Sequence, residues 1–147
     1  APRYRGLRQR PQFRARLLRL AFKSILLVDD EADFLEIFYT KLRAAGFRVE
    51  TAENGERAIE EAKKLKPDLI LMDMKMPKMN GAQAVMKLKE DPETKDIKVV
   101  FLTNFGDPRT EMEEVDRKFS KDMGAIDYLR KTSDLDEIVQ RIQNFFK

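Results

Sequence analysis

The sequence predicts an α/β fold, a parallel five-stranded sheet layered between helices, and three observations carry that prediction. Short apolar runs alternate with longer segments of helical period, the pattern of parallel strands joined by crossover helices. Three of the five runs are continuously apolar and two carry charges, as expected of central and edge strands. Acids, a threonine and a lysine stand just past the runs, and such sheets place their sites at the carboxyl ends of strands.

The elements follow in order. Ile25 to Val28 is the first strand. A helix from about Glu31 sets Phe34, Leu35, Phe38, Leu42 and Ala45 on one stripe, and Gly46 is placed to stop it. Phe47 to Ala52 alternates apolar with charged residues as the second strand. Asn54-Gly55 opens a second helix with Ala58, Ile59, Ala62 and Leu65 on its apolar side, and Pro67 closes it. "DLILMD", residues 68–73, is the third strand, and the third helix starts near Asn80. "KVVFLT", residues 98–103, is the fourth strand; Met112, Val115, Phe119 and Met123 mark a fourth helix. "AIDYL", residues 125–129, is the fifth strand. The last helix, capped by Ser133 or Asp134, shows Leu135, Ile138, Val139, Ile142, Phe145 and Phe146 on one side. Arg48 and Glu50 in the second strand, and Asp127 and Arg130 at the fifth, send those two to the edges. The flavodoxin-like order 2-1-3-4-5 satisfies this and gives a (βα)5 three-layer sandwich.

Composition excludes several chemistries. With no Cys and no His among 147 residues, there is neither a disulfide framework nor a thiolate or imidazole zinc site, so any metal must be held by oxygen. No run approaches the roughly 18 apolar residues of a membrane span, and a cytoplasmic protein with no membrane partner is expected. Charge divides the chain. Residues 1–24 carry seven Arg, Lys23 and no acid, a local +8 that leaves the other 123 residues at −5. Residues 1–23 therefore read as a basic N-terminal extension and 24–147 as one domain. Such an arm suits nucleic acid, anionic lipid or an organelle transit segment. Charge runs are usually solvated, however, and no groove-reading motif accompanies this one. A flexible tail, an extra helix over Phe13 to Phe22 or extra residues from an upstream start is the expectation, and nucleic acid is not an expected partner.

The acids make the chemical argument. "ILLVDDEADF" passes from strand to Asp29, Asp30 and Glu31, and the predicted order brings Asp73 beside them at the switch point. Carboxylates gathered at one edge repel unless a cation neutralises them; Mg²⁺ is a hard ion that suits them and often bridges to phosphate oxygens. Asp73 is then a candidate acceptor forming an aspartyl phosphate, with Lys131 pairing with phosphoryl oxygens and Thr103 donating its hydroxyl. Each residue also has a plainer role, as helix cap, surface lysine or strand-end hydroxyl. Met72, Met74, Met76 and Met79 read as gap-filling rather than copper-binding. Only the joint convergence favours chemistry.

"ILLVDDE", "DLILMDMKMP", the "NG" that follows, "VVFLT" and "GAIDYLRK" stand in an order and spacing that resembles the receiver domain of two-component response regulators, similar to the single-domain chemotaxis type. The resemblance covers residues 24–147. It implies Asp73 as phosphoacceptor, Asp30 as a direct Mg²⁺ ligand, Asp29 as a ligand through water and Lys75 as a backbone-carbonyl ligand. It further implies Thr103 as the switch hydroxyl, Lys131 as the phosphate-binding lysine and Tyr128 as the aromatic that turns inward on activation. Met76-Pro77 and Gly81 match the loop after the acceptor. By the same resemblance the chain is a signalling switch rather than an enzyme. It would take a phosphoryl group from a sensor histidine kinase or phosphotransfer protein and later hydrolyse it. Output would pass through the helix 4/strand 5/helix 5 face to a downstream protein, and the end of the chain after the fifth helix leaves no attached output domain expected.

Departures from the family pattern sustain a rival reading. Thr132 stands where the family usually has Pro; non-proline cis bonds cost about 2.5–4 kcal/mol, so the customary cis bond and the aim of Lys131 are both in question. Asn104 is bulkier than the usual neighbour of the switch threonine. The stretch from Thr103 to Lys131 is longer than typical around "FGDPRTEMEE", where Glu113 with Arg117 and Glu114 with Lys118 fit i,i+4 pairs. That longer stretch lies in the expected signalling face and points to an unusual partner, while Thr132 and Asn104 support the rival reading, a receiver-like scaffold that binds a partner without phosphorylation. Two other classes fit less well: Lys75 breaks the D-x-D pattern of haloacid dehalogenase-type phosphatases, and acids after strand one would repel a flavin phosphate.

Overall fold

Runs of Ile, Leu and Val with no charge inside them form strands that can be buried on both faces, and these occupy the middle of the sheet. The computed structural model describes residues 23–103, 118 and 120–146. Within them β1 (Ser24–Val28), β2 (Arg48–Ala52), β3 (Leu69–Asp73), β4 (Lys98–Thr103) and β5 (Asp127–Arg130) lie in the order β2-β1-β3-β4-β5. All neighbouring pairs are parallel. The expected fold class and order are thus observed. β3 is buried along its whole length, whereas Arg48, Glu50 and Thr51 of β2 are exposed, as suits a strand at the edge.

The helices are α1 (Ala32–Ala44), α2 (Gly55–Leu65), α3 (Gly81–Glu90), α4, represented by residues 118 and 120–122, and α5 (Leu135–Phe145). Successive strand residues point to opposite faces, so one sequence feeds two cores. Leu26, Val28, Ile70, Met72, Phe101 and Tyr128 pack with Ala58 and Ala62 of α2 and Ala84, Val85 and Leu88 of α3. Ile25, Leu27, Leu69, Leu71, Val100, Leu102 and Leu129 pack with Phe38 and Leu42 of α1 and Ile138 and Ile142 of α5. Each fully buried Leu or Ile contributes about 1.5–3 kcal/mol.

Local signals set the helix ends. Asn54 accepts the Arg57 N–H, Asn80 and Gln83 form a reciprocal capping box, and Asp134, not Ser133, caps α5 through the N–H groups of Asp136 and Glu137. Gly46 ends the first helical segment with φ +103°, a conformation that glycine adopts freely. The fifth strand differs from expectation: it runs Asp127–Arg130 rather than 125–129. Ala125 instead donates its N–H to the Ser120 carbonyl, closing the end of α4. The arm at residues 1–22, Asn104, the long segment after it, and Met112, Val115 and Phe119 lie outside the described residues. Met123 packs, partly buried, against the α2/α3 core.

Candidate functional site

Four strands end at one edge of the sheet, and each delivers a polar residue there. β1 is followed by Asp29 and Asp30, β3 ends on Asp73, β4 ends on Thr103, and β5 is followed by Lys131. Because β1 and β3 are neighbours, the three aspartates come together, with carboxylate oxygens within 4.8 Å of one another. Asp29 and Asp73 are buried, at 0 % and 2 % exposure, and Asp30 is exposed. A cleft of about 410 Å³ lined by Asp30, Glu53, Asn54, Gly55, Pro77 and Met79 opens beside them.

Lys131 supplies the positive charge. Its Nζ lies 2.5 Å from Asp29 Oδ2, 3.3 Å from Asp73 Oδ1 and 3.5 Å from Glu31 Oε1. The Lys131–Thr132 bond is trans, as are all peptide bonds among the described residues. The aim of Lys131 survives the absence of Pro because its N–H donates to the Thr103 carbonyl at 2.8 Å, prolonging the β4–β5 ladder past the strand end. One ammonium facing several carboxylates leaves the pocket negative. Burial, followed by the charge of Asp29, pushes Asp73 up to about 6 against the lowering pull of Lys131. Burial also raises Asp29, opposed by its hydrogen bond to Lys131. For Lys131, burial pulls downward, but Asp29 and Asp73 outweigh it and hold the ammonium above its ordinary range.

The remaining expected residues fall around this centre. The Lys75 N–H donates to Asp73 Oδ1 across 3.4 Å, so the peptide after β3 folds back on the carboxylate. Thr103 is 4 % exposed, and its Oγ1 has no hydrogen-bond partner among the described residues. Thr103 shares a pleat face with Phe101, and Phe101 pairs in register with Tyr128, which is already inside the core at 3 % exposure. A buried hydroxyl without an acceptor or donor is costly, and its retention at the pocket fits a ligand with oxygen atoms. The donor set is all oxygen, two members buried, with excess negative charge: these residues fit a hard cation such as Mg²⁺.

Sequence reasoning passed over two features. Phe34, expected only as part of a helix stripe, lies with its ring centroid 4.7 Å from Lys131 Nζ. Gly81 is required by close approach, since a Cβ there would stand 2.3 Å from the Asp73 carbonyl oxygen. Its place in the loop pattern hinted at the second; nothing local hinted at the first.

Strand order and pocket together define a flavodoxin-like receiver fold. Residues 25–143 match the model of the response regulator receiver domain, and the chain belongs to that family, the phosphorylation-based switches of two-component signalling. It is 37 % identical over 118 residues to protein PilH of Pseudomonas aeruginosa, covering 80 % of this chain and 93 % of PilH. It is likewise 37 % identical over 121 residues to the phosphate regulon transcriptional regulatory protein PhoB of Escherichia coli, covering 82 % of this chain but only 50 % of PhoB. The chain therefore spans about half the length of that transcriptional regulator. Among solved structures, Vibrio cholerae chemotaxis protein CheY4 superposes with TM-score 0.72 at 27 % identity, over 84 % of this chain and 98 % of that one. A response regulator from Desulfuromonas acetoxidans gives 0.71 at 29 % identity, over 84 % and 96 %. No helix among the described residues is long and apolar enough to cross a membrane.

Proposed function

We propose that Asp73 is the phosphoacceptor of this switch and that the donor is a phosphohistidine on a sensor histidine kinase or phosphotransfer protein. The observation that carries the reading is the meeting of Asp29, Asp30 and Asp73 within 4.8 Å, bridged by Lys131 at 2.5 and 3.3 Å. Asp29, Asp30 and Asp73, with the Lys75 carbonyl, would hold Mg²⁺, which screens the approach of a phosphoryl group to a carboxylate. An Asp73 oxygen attacks phosphorus, the P–N bond to the donor histidine breaks, and the imidazole leaves with the electron pair. Lys131 pairs with the phosphoryl oxygens and Thr103 donates its unpartnered hydroxyl to them, both stabilising charge as it moves onto the transferred group.

Thr103 and Tyr128 would then carry the change outward. Drawing the hydroxyl toward phosphate alters the packing beside Phe101 and Tyr128, and so favours one of two arrangements of the α4/β5/α5 face, where a downstream protein docks. A cytoplasmic location belongs to the same proposal. Of the two departures behind the scaffold reading, Thr132 leaves Lys131 on the aspartates. Incubation with acetyl phosphate and Mg²⁺ followed by intact mass tests the proposal. One added phosphoryl group that disappears in Asp73→Asn is expected; no addition to the wild type would sink it and leave the scaffold.

A further inference from the structure

Lys131 is held by partners of two kinds. On one side stand carboxylates, Asp29 at 2.5 Å, Asp73 at 3.3 Å and Glu31 at 3.5 Å. On the other lies the Phe34 ring, its centroid 4.7 Å from Nζ. Phe34 is itself seated: half-buried on α1, it stacks on Phe38 with centroids 5.1 Å apart and planes 17° apart. Phe38 is wholly buried against the sheet. A cation within about 6 Å of a ring centroid is attracted by the negative face of the ring, more strongly where water is excluded. The Lys131 side chain is only 5 % exposed.

We propose that Phe34 is a positioning residue for Lys131, its ring confining the ammonium at the aspartate pocket while the carboxylates change partners. The inference rests on the proposed function, in which Asp29, Asp30 and Asp73 give oxygens to Mg²⁺ and Asp73 then takes a phosphoryl group. Each event withdraws a carboxylate from Lys131 or changes its charge. The ring offers no carboxylate oxygen for a metal to claim, so its attraction persists through all of these states. A lysine carries its charge on a flexible four-carbon stem, and ordering that stem costs entropy. Confinement beforehand lessens the loss when phosphoryl oxygens arrive. Phe34 touches no reacting atom and acts only through Lys131.

Two substitutions separate the ring face from simple bulk. Phe34→Leu keeps apolar volume without an aromatic face, and Phe34→Tyr keeps the face. In Mg²⁺-free protein, the Lys131 ε-methylene protons, assigned by their loss in Lys131→Arg, are expected upfield of other lysines in wild type and Phe34→Tyr. They return among the other lysines in Phe34→Leu. With acetyl phosphate and Mg²⁺, Phe34→Leu is expected to phosphorylate about three- to tenfold more slowly at unchanged Mg²⁺ affinity, and Phe34→Tyr at the wild-type rate. An upfield signal or wild-type rate in Phe34→Leu overturns the inference, as does a slow Phe34→Tyr. Absence of phosphorylation in wild type overturns the proposed function instead, and the methylene signal then judges the ring contact by itself.

Discussion

Asp29 Oδ2 and Lys131 Nζ lie 2.5 Å apart with both side chains almost wholly buried, which ties the end of β1 to the end of β5 across two intervening strands. Asp73 shares the same ammonium at longer range, so the pocket holds more carboxylate charge than Lys131 can balance.

That imbalance predicts a pH dependence. The folded pKa of Asp73, about 6, exceeds its ordinary 3.8, so the folded state binds this proton more readily than the unfolded chain. Stability therefore rises as pH falls through 6 toward 4, and Asp29, also raised, adds in the same sense. The raised pKa of Lys131 contributes stability that is present below 10.5 and lost only above the folded value, outside this window. In EDTA, Asp73→Asn is expected to be more stable than wild type at about pH 7.5, by on the order of 1–3 kcal/mol, with the gap closing toward pH 5. Thermal melts of both proteins across that range check it; a gap that ignores pH would contradict the electrostatic account.

Mg²⁺ should relieve the same repulsion. Ligand that binds only the folded state adds about 2.7 kcal/mol at a hundredfold excess over Kd, which for a chain of this size is a melting shift of roughly 5–10 °C. Asp30→Asn, a change at the exposed member of the cluster, is expected to remove most of that shift. Calorimetric titration of wild type and variant decides the matter, since equal affinities would exclude Asp30 from the metal site.

Gly81 and Gly55 predict unequal costs. A methyl at Gly81 would meet the Asp73 backbone carbonyl at 2.3 Å, and backbone cannot step aside without moving the end of β3. Overpacking of this kind costs about 1–3 kcal/mol, and on the proposed function Gly81→Ala should also slow the transfer to Asp73. At Gly55 the nearest atom is Met79 Sδ at 2.8 Å, the far part of a flexible side chain, so Gly55→Ala should cost less than Gly81→Ala. Urea unfolding of the two variants compares them directly.

How much of this was legible in the sequence depended on the range of the interactions. Strand order followed from composition, because burial on both faces excludes the charges that Arg48 and Glu50 bring to β2. Convergence of Asp29, Asp73, Thr103 and Lys131 followed from that order alone. Helix starts were readable at Asn54, Asn80 and Asp134, whose caps are local. The start of β5 was not, since the bond from Ala125 to Ser120 competes with pairing and leaves no mark in the apolar pattern. The aim of Lys131 could not be read from Thr132, because its backbone is held by β4, a tertiary fact. Phe34 looked like any stripe residue for the same reason: its neighbour Lys131 is distant in the chain.

Thr103 offers the sharpest separation of stability from signalling. Its hydroxyl is buried, and the described residues give it no bond in return for its desolvation. Thr103→Val keeps the shape and removes that polar atom. Where both members of a bond are absent, such an exchange is nearly neutral or stabilising, and the melting temperature should hold or rise by a few degrees. If the proposed function holds, the same variant loses a donor to the phosphoryl oxygens, whose charge-assisted bonds contribute about 1.5–3 kcal/mol. Its phosphorylation by acetyl phosphate should slow about tenfold or more. A variant that melts lower yet phosphorylates normally would show that the hydroxyl serves the fold and not the acceptor.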